Sequence, residues 1–118
     1  MNGNQESSPV RDVRWQGERV VIDVAGDVDM THSAGFQGRL TEVIGKSPRH
    51  IVVNMSNVTF MDSSGIASLV KLESQARDIG AKLSLVGVNK RVLSILQITR
   101  LDSLFKIFDT EEEALSTA

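Results

Sequence analysis

Cysteine is absent from the 118 residues, which rules out disulfide bonds and thiol catalysis. The two histidines, His32 and His50, lack the spacing of zinc ligands, so neither a structural metal nor a cofactor is expected. No apolar run approaches the roughly 20 residues of a membrane-spanning helix. The opening "MNGNQESSPV" is polar rather than leader-like, and together these features point to a cytoplasmic protein without membrane insertion. A surplus of basic residues is also missing. Thirteen Lys and Arg against 15 Asp and Glu leave a formal charge of -2, with the cations scattered, so nucleic acid is not an expected partner. There is no internal repeat and no Gly-rich loop for a nucleotide.

What remains suits one soluble domain. A hydrophobic content of 41% with 24% charged residues is ordinary for a globular chain, and this length encloses a core without staples. Residues 1–9 have no apolar periodicity and read as a mobile tail, leaving 10–118 as the single domain. "VRDVRW" and "RVVIDVAG" flank the turn "QGE", which predicts an N-terminal hairpin. Phe36, Leu40, Val43 and Ile44 then fall at helical spacing, giving a helix over 33–45. "HIVVNM" (50–55) is a β-branched central strand, with "SNVTF" as the start of the loop that follows.

The strongest helical stripe runs from Ser64 to about Ile79, through Ile66, Leu69, Val70, Leu72 and Ala76, with Gly80 as its stop. "KLSLVG" is a strand, Asn89 caps the next helix, "FKIF" is a short strand, and Thr110 with Glu113 forms a capping box. The order ββαβαβαβα makes an α/β fold: a largely parallel, mixed sheet with flanking helices and an opening antiparallel strand.

Two polar clusters leave strands at their carboxyl ends, where open α/β sheets commonly bind ligands. They are "GDVD" (26–29) and "FMDSSG" (60–65). If the strands are parallel neighbours, Asp27 and Asp29 come close to Ser63. Asp62 or Ser63 is then either a helix cap alone or part of a helix N-terminus able to hold a phosphate, and residue types by themselves leave both open. Asp29 is expected to be substantially solvated. Met61 and Ile66, flanking the serines, are candidates for apolar anchors or for core.

"GDVD", then "IVVNMSNVTFMDSSGIASLV", then "LSLVGVNKRVLSILQITRLDSLFKIFDTEEEAL" resemble the bacterial anti-sigma-factor antagonists, whose fold is the STAS domain. The resemblance spans about Val10 to Leu115, and "FMDSSG" after an apolar strand is its most specific part. It implies that Ser63 is phosphorylated by a partner that is both anti-sigma factor and serine kinase. The unphosphorylated form binds that partner and frees a sigma factor; phosphorylation breaks the complex, and a PP2C-type phosphatase restores it. It also implies that the chain is not an enzyme, that it is a monomer or weak dimer, and that Asp27, Asp29, Met61, Asp62, Ser63, Ser64, Gly65 and Ile66 form the partner surface. Asp27 stands where Glu is more usual, and Ala67 where many members have Gly.

Other classes fit less well. "MDSSG" is not the G-x-S-x-G elbow of a serine hydrolase. A phospho-aspartate receiver using Asp62 would need regular βα alternation rather than an opening hairpin. A STAS accessory or scaffold subunit, in a stress-sensing or lipid-transport complex, would use the same surface without the switch.

Overall fold

The computed structural model describes residues 8–116. Gly17, with φ +65°, turns β1 (Val10–Gln16) tightly into β2 (Arg19–Val28). There follow α1 (Ser33–Ile44), β3 (His50–Met61), α2 (Ser63–Asp78), β4 (Lys82–Val86) and α3 (Lys90–Ile98). A short 3-10 turn (Asp102–Leu104), β5 (Lys106–Phe108) and α4 (Glu111–Leu115) complete the chain. The sheet order is β1-β2-β3-β4-β5; β1 is antiparallel to β2 and every other pair is parallel, as the element order predicts. Ser8 and Pro9, placed in the tail by composition, are buried, and the Pro9 carbonyl accepts from the Ala25 N–H at 3.0 Å. Residues 1–7 of that expected tail lie outside the described residues.

Strand alternation sorts the core into two faces. Val20, Ile22, Ile51, Val53 and Leu85 point to one side, where Phe36 and Leu40 of α1, Leu69 and Leu72 of α2, and Val92 and Leu96 of α3 cover them. Each fully buried Leu, Ile or Phe of this layer contributes about 1.5–3 kcal/mol. Val21, Val52 and Val86 point the other way and meet Ala114 of α4.

That second face is small, and polar groups fasten α4 to it. The Arg14 guanidinium donates to both Asp23 oxygens at 2.9 Å and to Glu111 Oε2 at 2.6 Å, while Asn54 Nδ2 donates to the same Glu111 oxygen at 2.6 Å. The Arg14 hydrogen bonds, seconded by Asn54, hold the Glu111 carboxyl below its ordinary range against the opposing effect of desolvation.

The strand expected over 50–55 runs on to Met61. β3 carries one extra residue opposite Asp23–Ala25 and another opposite Gly26–Asp27. Met55, Val58 and Met61 therefore face inward at intervals of three, separated by exposed Ser56–Asn57 and Thr59–Phe60. The bulges break the period-2 signal, so "SNVTF" reads as loop. Their effect is to carry the end of β3 level with the end of β2, Val28 pairing with Met61.

A carboxyl whose pKa is lowered by folding stabilises fully above its unfolded pKa, and that contribution is lost as pH falls through the folded value. Glu111→Gln should therefore be less stable than the parent at neutral pH and lose less stability on acidification below about pH 4.5. Urea unfolding across that range checks this; parallel pH curves would remove Glu111 from the latch.

Candidate functional site

The paired ends of β2 and β3 bring "GDVD" and "FMDSSG" together. Just past Met61 the Asp62 N–H donates to the Val28 carbonyl at 3.2 Å, and the chain turns into α2. Asp62 is the N-cap: its Oδ1 accepts from the Ser64 N–H at 2.9 Å, the Gly65 N–H at 3.3 Å and the Ser64 hydroxyl at 2.5 Å. Its Oδ2 accepts from the Met30 N–H at 3.0 Å, on the loop between β2 and α1. One carboxylate thus starts a helix and pins the neighbouring loop. The Ser64 hydroxyl most of all, and then the N–H groups of Gly65, Ser64 and Met30, hold the Asp62 pKa below the usual carboxylate range, although partial desolvation opposes them.

This settles which serine is available. Ser64 is committed to Asp62, whereas the Ser63 side chain is exposed and makes no hydrogen bond among the described residues. The other acids are partly engaged. Asp27 is exposed, with Oδ1 accepting from the Thr59 hydroxyl at 2.7 Å. Asp29, expected to be largely solvated, is instead a local brace. Its Oδ1 accepts from the N–H groups of Thr31 (3.1 Å) and His32 (3.2 Å) and lies 2.7 Å from His32 Nδ1. An Asp two and three residues before free N–H groups is an Asx-turn arrangement, which explains why α1 starts without a side-chain N-cap from His32.

Met61, Gly65 and Ile66 do not lie on the surface. Met61 is 0% and Ile66 5% exposed, both in the main core, because the second bulge turns Met61 inward and Ile66 belongs to the apolar stripe of α2. Gly65 is buried where α2 crosses the end of β2. A Cβ built there would lie 2.5 Å from the Val28 carbonyl oxygen and 2.6 Å from Met61 Cγ. The exposed apolar groups are different ones: Met30 at 78% and Phe60 at 37%. Met30 follows Asp29 directly, and Phe60 is the second residue of an exposed pair on a bulge; neither carried a sequence signal without the register.

The arrangement does not match the chemistry of the rival classes. His32 pairs with Asp29 and His50 with Ser84, so neither is hydrogen-bonded to Ser63 as a hydrolase base would be. Both Asp62 oxygens are occupied by cap and loop donors. Among the described residues no cluster of His, Cys, Asp or Glu is able to hold a metal ion, and no helix is long and apolar enough to cross a membrane.

A family model for the STAS domain matches residues 11–114. The chain belongs to the STAS domain family. It is 32% identical to a STAS-domain containing protein of Pseudomonas aeruginosa over 77% of this chain and 89% of that one. It is 26% identical to an anti-sigma F factor antagonist of Paenibacillus polymyxa, over 82% and 84%. Among solved structures, an anti-sigma factor antagonist from Mycobacterium paratuberculosis superposes with a TM-score of 0.81 at 23% identity, over 89% of each chain. Unphosphorylated SpoIIAA superposes with a TM-score of 0.76 at 23% identity, over 88% of this chain and 91% of that one. At these identities the structures establish a shared STAS fold.

Two substitutions separate support from availability in this STAS domain. Asp62→Ala should lower the urea midpoint, since it leaves four donors without their acceptor, whereas Ser63→Ala should stay within about 0.5 kcal/mol of the parent. Equal midpoints would show that the cap is dispensable. Gly65→Ala should destabilise by about 1–3 kcal/mol through the clash with the Val28 carbonyl, measured in the same titration. An unchanged midpoint would mean that α2 shifts freely at its start.

Proposed function

We propose that this STAS domain is an anti-sigma-factor antagonist whose binding is switched off by phosphorylation of Ser63. One observation carries the reading: a single exposed serine hydroxyl, without an internal partner, stands beside the clamped Asp62 while its neighbour Ser64 is engaged. The family resemblance and the curated relatives named as anti-sigma factor antagonists supply the partner class. The partner is an anti-sigma factor that is also a serine kinase, a PP2C-type phosphatase reverses the modification, and the exchange takes place in the cytoplasm. The STAS domain itself has no catalytic role.

The physics of the switch follows from what is already occupied. A phosphoryl group brings about −1.5 to −2 charges. The N–H groups of Ser64 and Gly65, which would otherwise cradle it, are taken by the Asp62 carboxylate. A phosphate on Ser63 is therefore not drawn into the helix start. It projects outward beside the ionised Asp62 and adds to the negative potential that Asp27 and Asp29 already give this end of the sheet. A docked partner then faces like charge and desolvation costs of several kcal/mol, without refolding either protein. The apolar contribution to docking comes from Met30 and Phe60, with Asp27, Asp62, Ser63 and the Asp29 loop around them, and Met61, Gly65 and Ile66 acting from below as support.

Ser63→Ala should bind the anti-sigma kinase about as tightly as the parent and keep that affinity in ATP, whereas Ser63→Asp should bind roughly ten- to a hundredfold more weakly. Calorimetry with and without ATP, together with phosphopeptide mapping after incubation with the kinase, measures both. Phosphate found only on Ser64, or tight binding by Ser63→Asp, would overturn the switch.

A further inference from the structure

Sulfur enters this chain only as methionine, since cysteine is absent. Of the four methionines, Met55 and Met61 are sealed in the main core, and Met1 lies outside the described residues. Met30 is the opposite case. It is 78% exposed on the loop between β2 and α1, and its backbone N–H donates to Asp62 Oδ2 at 3.0 Å, one residue before Ser63. A thioether reacts with peroxides without first losing a proton, so exposure decides which methionine an oxidant reaches. Hydrogen peroxide meets Met30 on the folded domain and reaches Met55 or Met61 only when the core opens.

The fold does not lean on the Met30 side chain. Met30 belongs to neither core cluster. Its hydrogen bonds are made by its backbone: the N–H to Asp62, and the carbonyl, which accepts from the Ser33 hydroxyl at 3.3 Å. Oxidation of the sulfur leaves both in place.

We propose that Met30 is a reversible oxidation site whose sulfoxide weakens docking of the anti-sigma factor, as a second input beside Ser63. The inference rests on the antagonist reading, in which Met30 and Phe60 supply the apolar part of the contact. The Met30 sulfur attacks one oxygen of hydrogen peroxide; the S–O bond forms as the O–O bond breaks. The proton on the transferred oxygen passes to the leaving hydroxide, which departs as water. Sulfur has then lost two electrons and peroxide has gained them. A methionine sulfoxide reductase reverses the change with the two electrons of a dithiol, releasing water and a disulfide.

The product carries a polar sulfinyl group where a flexible apolar thioether stood. In the free domain this group is solvated, so the change has no effect on folding. Under a docked partner its oxygen is stripped of water, and an apolar pocket shaped for a thioether offers no donor in return. The oxidised domain therefore folds as before and docks more weakly. Phosphorylation of Ser63 acts on the same surface through charge, whereas oxidation of Met30 acts through the apolar contact.

The test treats the full 118-residue protein with hydrogen peroxide, removes the oxidant, and combines peptide mass spectrometry at each methionine with calorimetry against the anti-sigma kinase. Met30 should gain its oxygen at least about tenfold faster than Met55 and Met61. The oxidised protein should keep the parent's urea midpoint and bind the kinase at least about tenfold more weakly, with affinity restored by a sulfoxide reductase. Met30→Leu should bind as the parent does and lose its sensitivity to peroxide although it retains Met1. Met30→Gln should bind as weakly as the oxidised parent with no peroxide added. Oxidation of Met55 or Met61 as fast as Met30, undiminished binding by the oxidised domain, tight binding by Met30→Gln, or peroxide sensitivity persisting in Met30→Leu would each overturn the proposal. Failure of the reduced parent to bind would remove the antagonist reading and this input with it, whereas equal binding by the reduced and oxidised forms would remove the input alone.

Discussion

The Asp62 carboxylate is the constraint around which the carboxyl end of the sheet is organised. A helix N-terminus presents N–H groups that need acceptors, and a loop leaving a neighbouring strand presents another. Asp62 supplies both oxygens to these needs at once, one to the first turn of α2 and one to Met30. The two loops are held together by charge-assisted hydrogen bonds rather than by a large apolar contact, which leaves Met30 free to stand 78% exposed. Gly65 completes the arrangement, because α2 comes so close to the Val28 carbonyl that no side chain fits between them.

The fold was legible in the sequence where the physical signals were local. The stripe from Ile66 to Ala76, the Asn89 cap, the Thr110–Glu113 box and the turn at Gly17 each rest on neighbours within a few residues, and each is found in the structure. The hairpin followed by βα units then leaves few topologies. The second half of β3 was not legible. Its inward residues recur every third position because of two bulges, and a bulge is a relation to the partner strand rather than a property of the strand's own residues. The placement of Met61, open between anchor and core in the sequence, follows from that register. With β3 ending at Met55, Met61 belongs to a loop and is available as an anchor; with β3 running to Met61, it is core. The same register exposes Phe60. Asp29 shows a different limit: its role is local, but Asx turns and solvated loop acids are written in the same residue types.

On the proposed reading, support and signalling are divided between adjacent residues. Asp62 and Ser64 are mutually bonded, and Gly65 is fixed by the backbone it touches, so change at these positions acts on the helix start. Ser63 has no such ties. A modification there leaves the cap, the loop contact and the core as they are, and its energy appears only when another molecule covers the surface. Thermodynamically this is the condition for switching a complex without a conformational change: the free domain has little at stake, and the free-energy difference is confined to the bound state. Had the serines exchanged roles, phosphorylation would have removed the Ser64 hydroxyl from Asp62 and placed a dianion against the carboxylate that caps the helix. The switch would then have acted on the fold as well as on its partner. In "DSSG" the second serine is the aspartate's hydrogen-bond donor and the first is exposed, and on the proposed reading that division is the reason for two hydroxyls where the chain leaves β3.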